Sequence, residues 1–251
     1  MSGYSRRTRN LFDPESSGPY TLSRSRLENF IRCQRCFYLD RRLGVDHPPT
    51  PGFTLNSAVD TLLKKEFDLY RAQGQPHPLM IEFGVDAIPY AHESIDDWRN
   101  VRRGVRYVFP NTNFEVFGAV DDVWINPAGE LYVVDYKATS KQGEVTIDTV
   151  YGKSYKRQVE IYQWLFEANG FSVAESAYFV YANGIKNRES FDKRLDFKIT
   201  IIEHQGDTSW INGCVNEAYR CLCRDNPPPP SDWCDYCAYL ELAKETRGLS
   251  G

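Results

Sequence analysis

The segment from Gly118 to Lys141, GAVDDVWINPAGELYVVDYKATSK, gathers residue types that can do chemistry at a phosphate. Along Val133-Val134-Asp135-Tyr136-Lys137 side chains alternate across a strand, so Asp135 and Lys137 project from one face at its end. Asp121 comes from the strand one hairpin earlier and can meet them. Two carboxylates that close repel each other unless a cation neutralises them, and hard oxygen ligands suit Mg2+ or Mn2+. A lysine beside such a cation orients or helps deprotonate a water, or stabilises charge growing on phosphorus. A bare D-x-K is usually an exposed ion pair. Here a valine-rich run delivers it on a buried-looking strand, with the acidic pair Asp121-Asp122 ahead of it.

The second chemical signal is cysteine spacing. Cys33-x-x-Cys36 and Cys234-x-x-Cys237 lie about 200 residues apart, and the spacing within each pair lets both thiolates hold one ion. The start MSGYSRRTRN lacks the apolar stretch of a signal peptide, which predicts a soluble, cytoplasmic protein with reduced thiols. Intracellular cysteine pairs are more often metal ligands than disulfides. Cys214, Cys221 and Cys223 read as core or partly exposed thiols.

These residues need elements to position them. Residues 1–19, rich in Ser, Arg, Gly and Pro, read as a flexible tail, and residues 20–251 as a single domain. Ser25 and Glu28 form a capping-box pattern, and Leu27, Phe30, Ile31, Phe37 and Leu43 predict one helix that carries Cys33 and Cys36 and stops at Gly44. After the loop His47 to Gly52, the spacing of Leu55, Val59, Leu62, Leu63, Phe67 and Tyr70 predicts a second helix. A short helix is expected around Ile95 to Arg103.

Phe114 to Val123 and Glu130 to Tyr136 read as an antiparallel hairpin around Asn126-Pro127-Ala128-Gly129. Helical spacing returns from Lys153 to Glu167 and ends at Asn169-Gly170. Ser176 to Tyr181 and Leu195 to Ile202 read as strands, Thr208 to Cys223 as a helix, and Asn226 to Pro230 as a loop before Trp233. The expectation is an α/β fold with a central mixed sheet flanked by helices and a helical region joined by the four-cysteine site.

GxxD, a hairpin and a D-Y-K strand together resemble the catalytic core of RecB-like nucleases in the PD-(D/E)XK superfamily, whose core is restriction-endonuclease-like. The resemblance runs from about Ser23 to Tyr239. It implies metal binding by Asp121 and Asp135 and a catalytic role for Lys137. The family also carries Q-x-x-x-Y on the next helix, matched by Gln158-Val159-Glu160-Ile161-Tyr162, and four-residue spacing puts Gln158 and Tyr162 on one face. An early-helix histidine that is a further metal ligand in the family is matched by Asp60, which can bind the same hard cation. Several RecB-like nucleases, CRISPR-associated ones among them, hold a [4Fe-4S] cluster on one early and three late cysteines. Here a late cysteine is missing near Ala243, and Cys33, Cys36, Cys234 and Cys237 form a two-plus-two set that equally suits structural Zn2+.

Bulk composition narrows the partners. The chain of 251 residues is 41% hydrophobic, enough for a sizeable core, and no apolar run is long enough to span a membrane. Its net charge of −4 gives no bulk attraction to phosphate, so a local basic cleft must bind nucleic acid. Lys64, Lys65, Lys153, Lys156 and Arg157 are candidates. The function expected is hydrolysis of single- or double-stranded DNA, with possible protein partners in a repair or CRISPR complex. A catalytically weak nucleic-acid-binding subunit and a redox or electron-transfer iron-sulfur protein are the alternatives. Intact D-x-K argues against the first, and dependence of activity on Lys137 separates the second.

Overall fold

The computed structural model describes residues 5–48 and 52–247. The first residues of the expected tail and part of the expected loop before Gly52 lie outside them. In chain order the elements are β1 (Tyr20–Ser23), α1 (Arg24–Arg32), α2 (Gln34–Leu43), α3 (Thr54–Gln73), α4 (Pro78–Glu82), β2 (Ile88–Pro89), α5 (Ile95–Trp98), β3 (Val105–Val108), β4 (Phe114–Gly118), β5 (Asp122–Ile125), β6 (Leu131–Thr139), α6 (Val150–Ala168), β7 (Ser176–Gly184), β8 (Phe197–Gln205), α7 (Ile211–Leu222) and α8 (Asp235–Arg247). The chain divides into two compact units: Met1–Pro51 with Val108–Val116 and Trp210–Gly251, and Gly52–Tyr107 with Phe117–Ser209.

The second unit is built on a mixed five-stranded sheet in the order β2-β5-β6-β7-β8. β5 and β6 form the expected hairpin, with Asp122 opposite Val134 and Ile125 opposite Leu131. β6 and β7 run parallel, with Asp135 beside Phe179 and Lys137 beside Tyr181. A parallel pair needs a crossover, and α6 supplies it. β8 returns antiparallel to β7. Alternation on β6 divides the chemistry from one part of the core: Val134 and Tyr136 pack with Leu63 and Phe67 of α3, Trp124 and Val180, while Asp135 reaches Gln158 of α6. Edge strand β2 carries Pro89, a residue without an N–H to offer a further strand.

In the first unit α1 and α2 replace the single helix expected around Cys33. Hydrophobic spacing continues through this point, but Cys33 is extended: its N–H donates to the carbonyl of Asn29 (2.9 Å) while its own carbonyl accepts from Phe37 (3.0 Å). It thus ends one helix and begins the next. Ser23, and not the expected Ser25, stands at the α1 N-cap. Ahead of β1, Arg7 donates to the Gly44 carbonyl (2.8 Å) and Phe12 to that of Arg41 (2.8 Å). Phe12 is fully buried and meets Tyr20, Phe114 and Tyr219 edge-on. Gly44 at the end of α2 has φ of 71°, and a Cβ there would stand 2.1 Å from the Arg7 carbonyl oxygen, so both the turn and the close approach require glycine. No helix among the described residues is long and apolar enough to cross a membrane.

Candidate active site and metal centre

The carboxylates and lysines expected to do chemistry meet in the second unit, beside an open pocket lined by Phe53, Asn56, Asp60, Asp121, Lys137 and Tyr155 among others. α3 contributes Asp60 and, one turn later, Lys64. The Lys64 Nζ donates to Asp60 Oδ2 (3.0 Å) and to Asp121 Oδ1 (3.1 Å), bridging two side chains that would otherwise repel. Asp121 lies on the link into β5, where its Oδ2 accepts from the Tyr136 N–H at 3.0 Å. Burial and then the negative charge of Asp121 push the Asp60 carboxyl above its usual pKa. Lys64 is shifted up as well: burial works against its charge, but Asp121 and Asp60 outweigh it.

β6 places Asp135 and Lys137 together, as their two-residue spacing predicts. Asp135 is fully buried and its Oδ2 pairs with the Lys137 ammonium, while its Oδ1 accepts from Gln158 Nε2 at 2.8 Å. Gln158 also donates to the Tyr162 hydroxyl at 3.2 Å. Burial opposes the Lys137 charge, yet Asp135 and then Asp121 hold its pKa above the ordinary lysine value. At neutral pH Lys137 is therefore a cation and hydrogen-bond donor. Its Nζ lies 4.7 Å from the centre of the Tyr155 ring, which adds a cation-π contact.

The trio of carboxylates thus stands as two lysine-held groups, Asp60 with Asp121 and Asp135 with Lys137. A divalent cation implied by the family finds hard oxygen donors here, and the Lys64 ammonium marks a place where a positive charge already sits between two of them. Lys64 was expected only as a phosphate contact. Its spacing of four from Asp60 was the available signal. Tyr155 is three residues before Gln158 and was not singled out. Of the other expected basic residues, Lys65 and Lys153 are exposed and Lys156 pairs with Asp148 at 2.6 Å.

Asp122, next to Asp121, has a different task. It is fully buried and accepts from Arg71, from Arg99 at 2.8 Å, from the Tyr136 hydroxyl at 2.7 Å and from the Val123 N–H at 2.8 Å. Past the end of β6 and β7 lies a depression lined by Lys141, Gln142, Asn183, Lys186 and Lys198, with no carboxylate. Asn183 fixes it by accepting from the Lys141 N–H (2.8 Å) and donating to the Lys141 carbonyl (3.1 Å).

In the first unit the four cysteines converge. Sγ–Sγ separations are 3.8 Å for Cys33–Cys237 and 3.6 Å for both Cys36–Cys234 and Cys36–Cys237. Hydrogen bonds from Ser231 outweigh burial and draw the Cys33 thiol down to about 6, while burial pushes Cys36 up and Cys237 to about 12. Four sulfurs this close can all ionise only around a cation, so the quartet is able to bind a metal. Among the described residues it is the one such gathering of His, Cys, Asp and Glu side chains. Both centres expected from the sequence, a [4Fe-4S] cluster and a structural Zn2+, take four such thiolates. Cys221 is buried and Cys223 exposed, away from this cluster as expected.

A search of curated proteins finds no match. Two solved structures are similar at a distance: the crystal structure of SSO0001, 16% identical over 86% of this chain and 81% of that one with a TM-score of 0.42, and LHK-Exo in complex with dAMP, 14% identical over 92% and 94% with a TM-score of 0.33. The family profile of the PD-(D/E)XK nuclease superfamily matches residues 54–242, which take in the whole carboxylate-lysine site. With three quarters of its length matched, the chain belongs to the PD-(D/E)XK nuclease superfamily.

Proposed function

We propose that this protein is a Mg2+- or Mn2+-dependent deoxyribonuclease of the RecB-like type, serving DNA repair, recombination or CRISPR-type processing. The observation that carries the reading is the chain of contacts from Lys137 through Asp135 to Gln158 and Tyr162, set beside the Asp60–Lys64–Asp121 bridge. It joins the D-Y-K strand to the Q-x-x-x-Y helix, the two motifs that distinguish the RecB-like pattern.

Hydrolysis joins a water oxygen to phosphorus and breaks the P–O bond to the leaving nucleotide, with negative charge building on the phosphoryl oxygens. Asp121 and Asp135, together with Asp60, would hold a divalent cation, which would supply Lewis acidity and make water a stronger acid. Lys137, kept protonated by its neighbours, donates to the water or to a phosphoryl oxygen and offsets the growing charge. Gln158 fixes the rotamer of Asp135 through its 2.8 Å hydrogen bond, and Tyr162 steadies Gln158. Lys64, which bridges Asp60 and Asp121, would be a phosphate contact at the same pocket.

The test is cleavage of end-labelled single- and double-stranded DNA with Mg2+ or Mn2+, comparing the wild type with Lys137→Ala. Metal-dependent cutting is expected, with a loss of about 100-fold or more in the variant, as for removal of one preorganised donor. Absence of cutting by folded wild-type protein on either substrate with either metal would reject the reading.

A further inference from the structure

The sulfur geometry of the first unit points to a single tetrahedral Zn2+, and we propose that Cys33, Cys36, Cys234 and Cys237 hold one zinc ion that seats α8. Four thiolates at zinc bond lengths of about 2.3 Å occupy the corners of a tetrahedron whose edges are about 3.8 Å. The separations of 3.6 Å, 3.6 Å and 3.8 Å match those edges, and all four sulfurs lie within 4.8 Å of one another. A cubane of four irons places one iron before each sulfur and spreads the sulfurs to roughly 6 Å. The quartet is too tight for it.

The ligand spacing agrees. Two C-x-x-C pairs, each on a short turn into a helix, are a closed four-sulfur set that leaves no position for substrate, the mark of a structural ion. Cys33 is fixed by its backbone bonds to Asn29 and Phe37, and Cys234 by donating its N–H to Ser231 (3.0 Å) and accepting from Ala238 (3.0 Å). The Ser231 hydroxyl in turn donates to the Arg32 carbonyl at 2.9 Å, which ties the two cysteine turns together.

What the ion does follows from α8. Among the described side chains of this helix only Cys237 is buried, while Tyr239, Leu240 and Leu242 are half exposed or more. Apart from the cysteines, its clearest anchor is Tyr236, stacked on His47 at 3.8 Å between ring centres. A helix with so little apolar burial depends on the ion for its place. Zinc has no redox chemistry, so this centre is structural and does not transfer electrons.

The experiment is metal and acid-labile sulfide analysis of full-length protein purified anaerobically from cells supplied with both iron and zinc. One zinc per chain, no sulfide and no visible colour are expected. Exchange with Co2+ should then give the visible bands of tetrahedral cobalt thiolate. Removing the ion with a strong chelator should speed amide exchange across Asp235–Arg247 at least tenfold, with the second unit's exchange unchanged. Cys36→Ser and Cys237→Ser should lose the zinc; if either fails to fold, the wild-type stoichiometry and cobalt spectrum still decide. Iron with sulfide, a single iron, no bound metal, or α8 exchange indifferent to the chelator would each overturn the proposal.

Discussion

Asp121 and Asp122 are neighbours with opposite surroundings, and their contrast separates reaction from stability. Asp121 is partly exposed in the pocket and shares Lys64 with Asp60. Asp122 has no exposed surface and is the common acceptor for Arg71 and Arg99, themselves nearly buried. Taking away the Asp122 carboxylate leaves two buried guanidinium groups facing one another, which is a larger penalty than the pair's net worth. Asp68 still pairs with both arginines, so the cost belongs at the low end of the range for breaking a buried ion pair. Asp122→Ala should therefore lose about 3 kcal/mol in urea unfolding, whereas Asp121→Ala should unfold near the wild-type midpoint and abolish cleavage. Equal destabilisation by the two substitutions would contradict this division. The acidic pair was legible in the sequence, but its division was not, because the arginines that claim Asp122 lie 51 and 23 residues away.

At the scale of elements, the first turn of α6 sets the position of every residue that the helix brings to the site. The Thr149 hydroxyl caps it by accepting from the Gly152 N–H at 2.9 Å. A Cβ on Gly152 would stand 1.8 Å from the Ile147 carbonyl oxygen, a backbone atom that cannot swing aside. Gly152→Ala should consequently cost about 1–3 kcal/mol by overpacking and lower kcat by displacing Tyr155 and Gln158. Thermal unfolding together with single-turnover cleavage would test this, and an unchanged melting temperature would refute it. The helices α3 and α6 and the β5–β6 hairpin were legible because they are long enough to show a period or have a turn signal. β1, β2 and β3 were missed because two to four residues show no period. β4 and β5 were read as one strand because Ala119 and Val120 prolong the apolar pattern, and the link that aims Asp121 at Tyr136 leaves no mark of its own.

For the whole molecule, the charge of −4 means that a polyanion is repelled on average and must be held locally. Lys141, Lys186 and Lys198 supply such a place in the proposed DNA reaction. They are exposed, line a depression without a carboxylate, and stand at the end of the same β6 that carries Asp135 and Lys137. From Lys137 to Lys141 the chain covers four residues, about 13 Å if extended, so one strand can engage the carboxylate pocket and the lysines together. Lysine–phosphate contacts release counterions, and each makes log K fall against log salt with a slope of about −0.7 for single strands. Changing all three lysines to Gln should thus flatten the salt dependence of single-stranded DNA binding by about 2, while leaving cleavage of a minimal nucleotide ester unchanged. Restoring charge with three arginines should restore the slope. A slope that stays the same in the glutamine variant, measured by fluorescence anisotropy without catalytic metal, would mean that the strand takes another path across the protein.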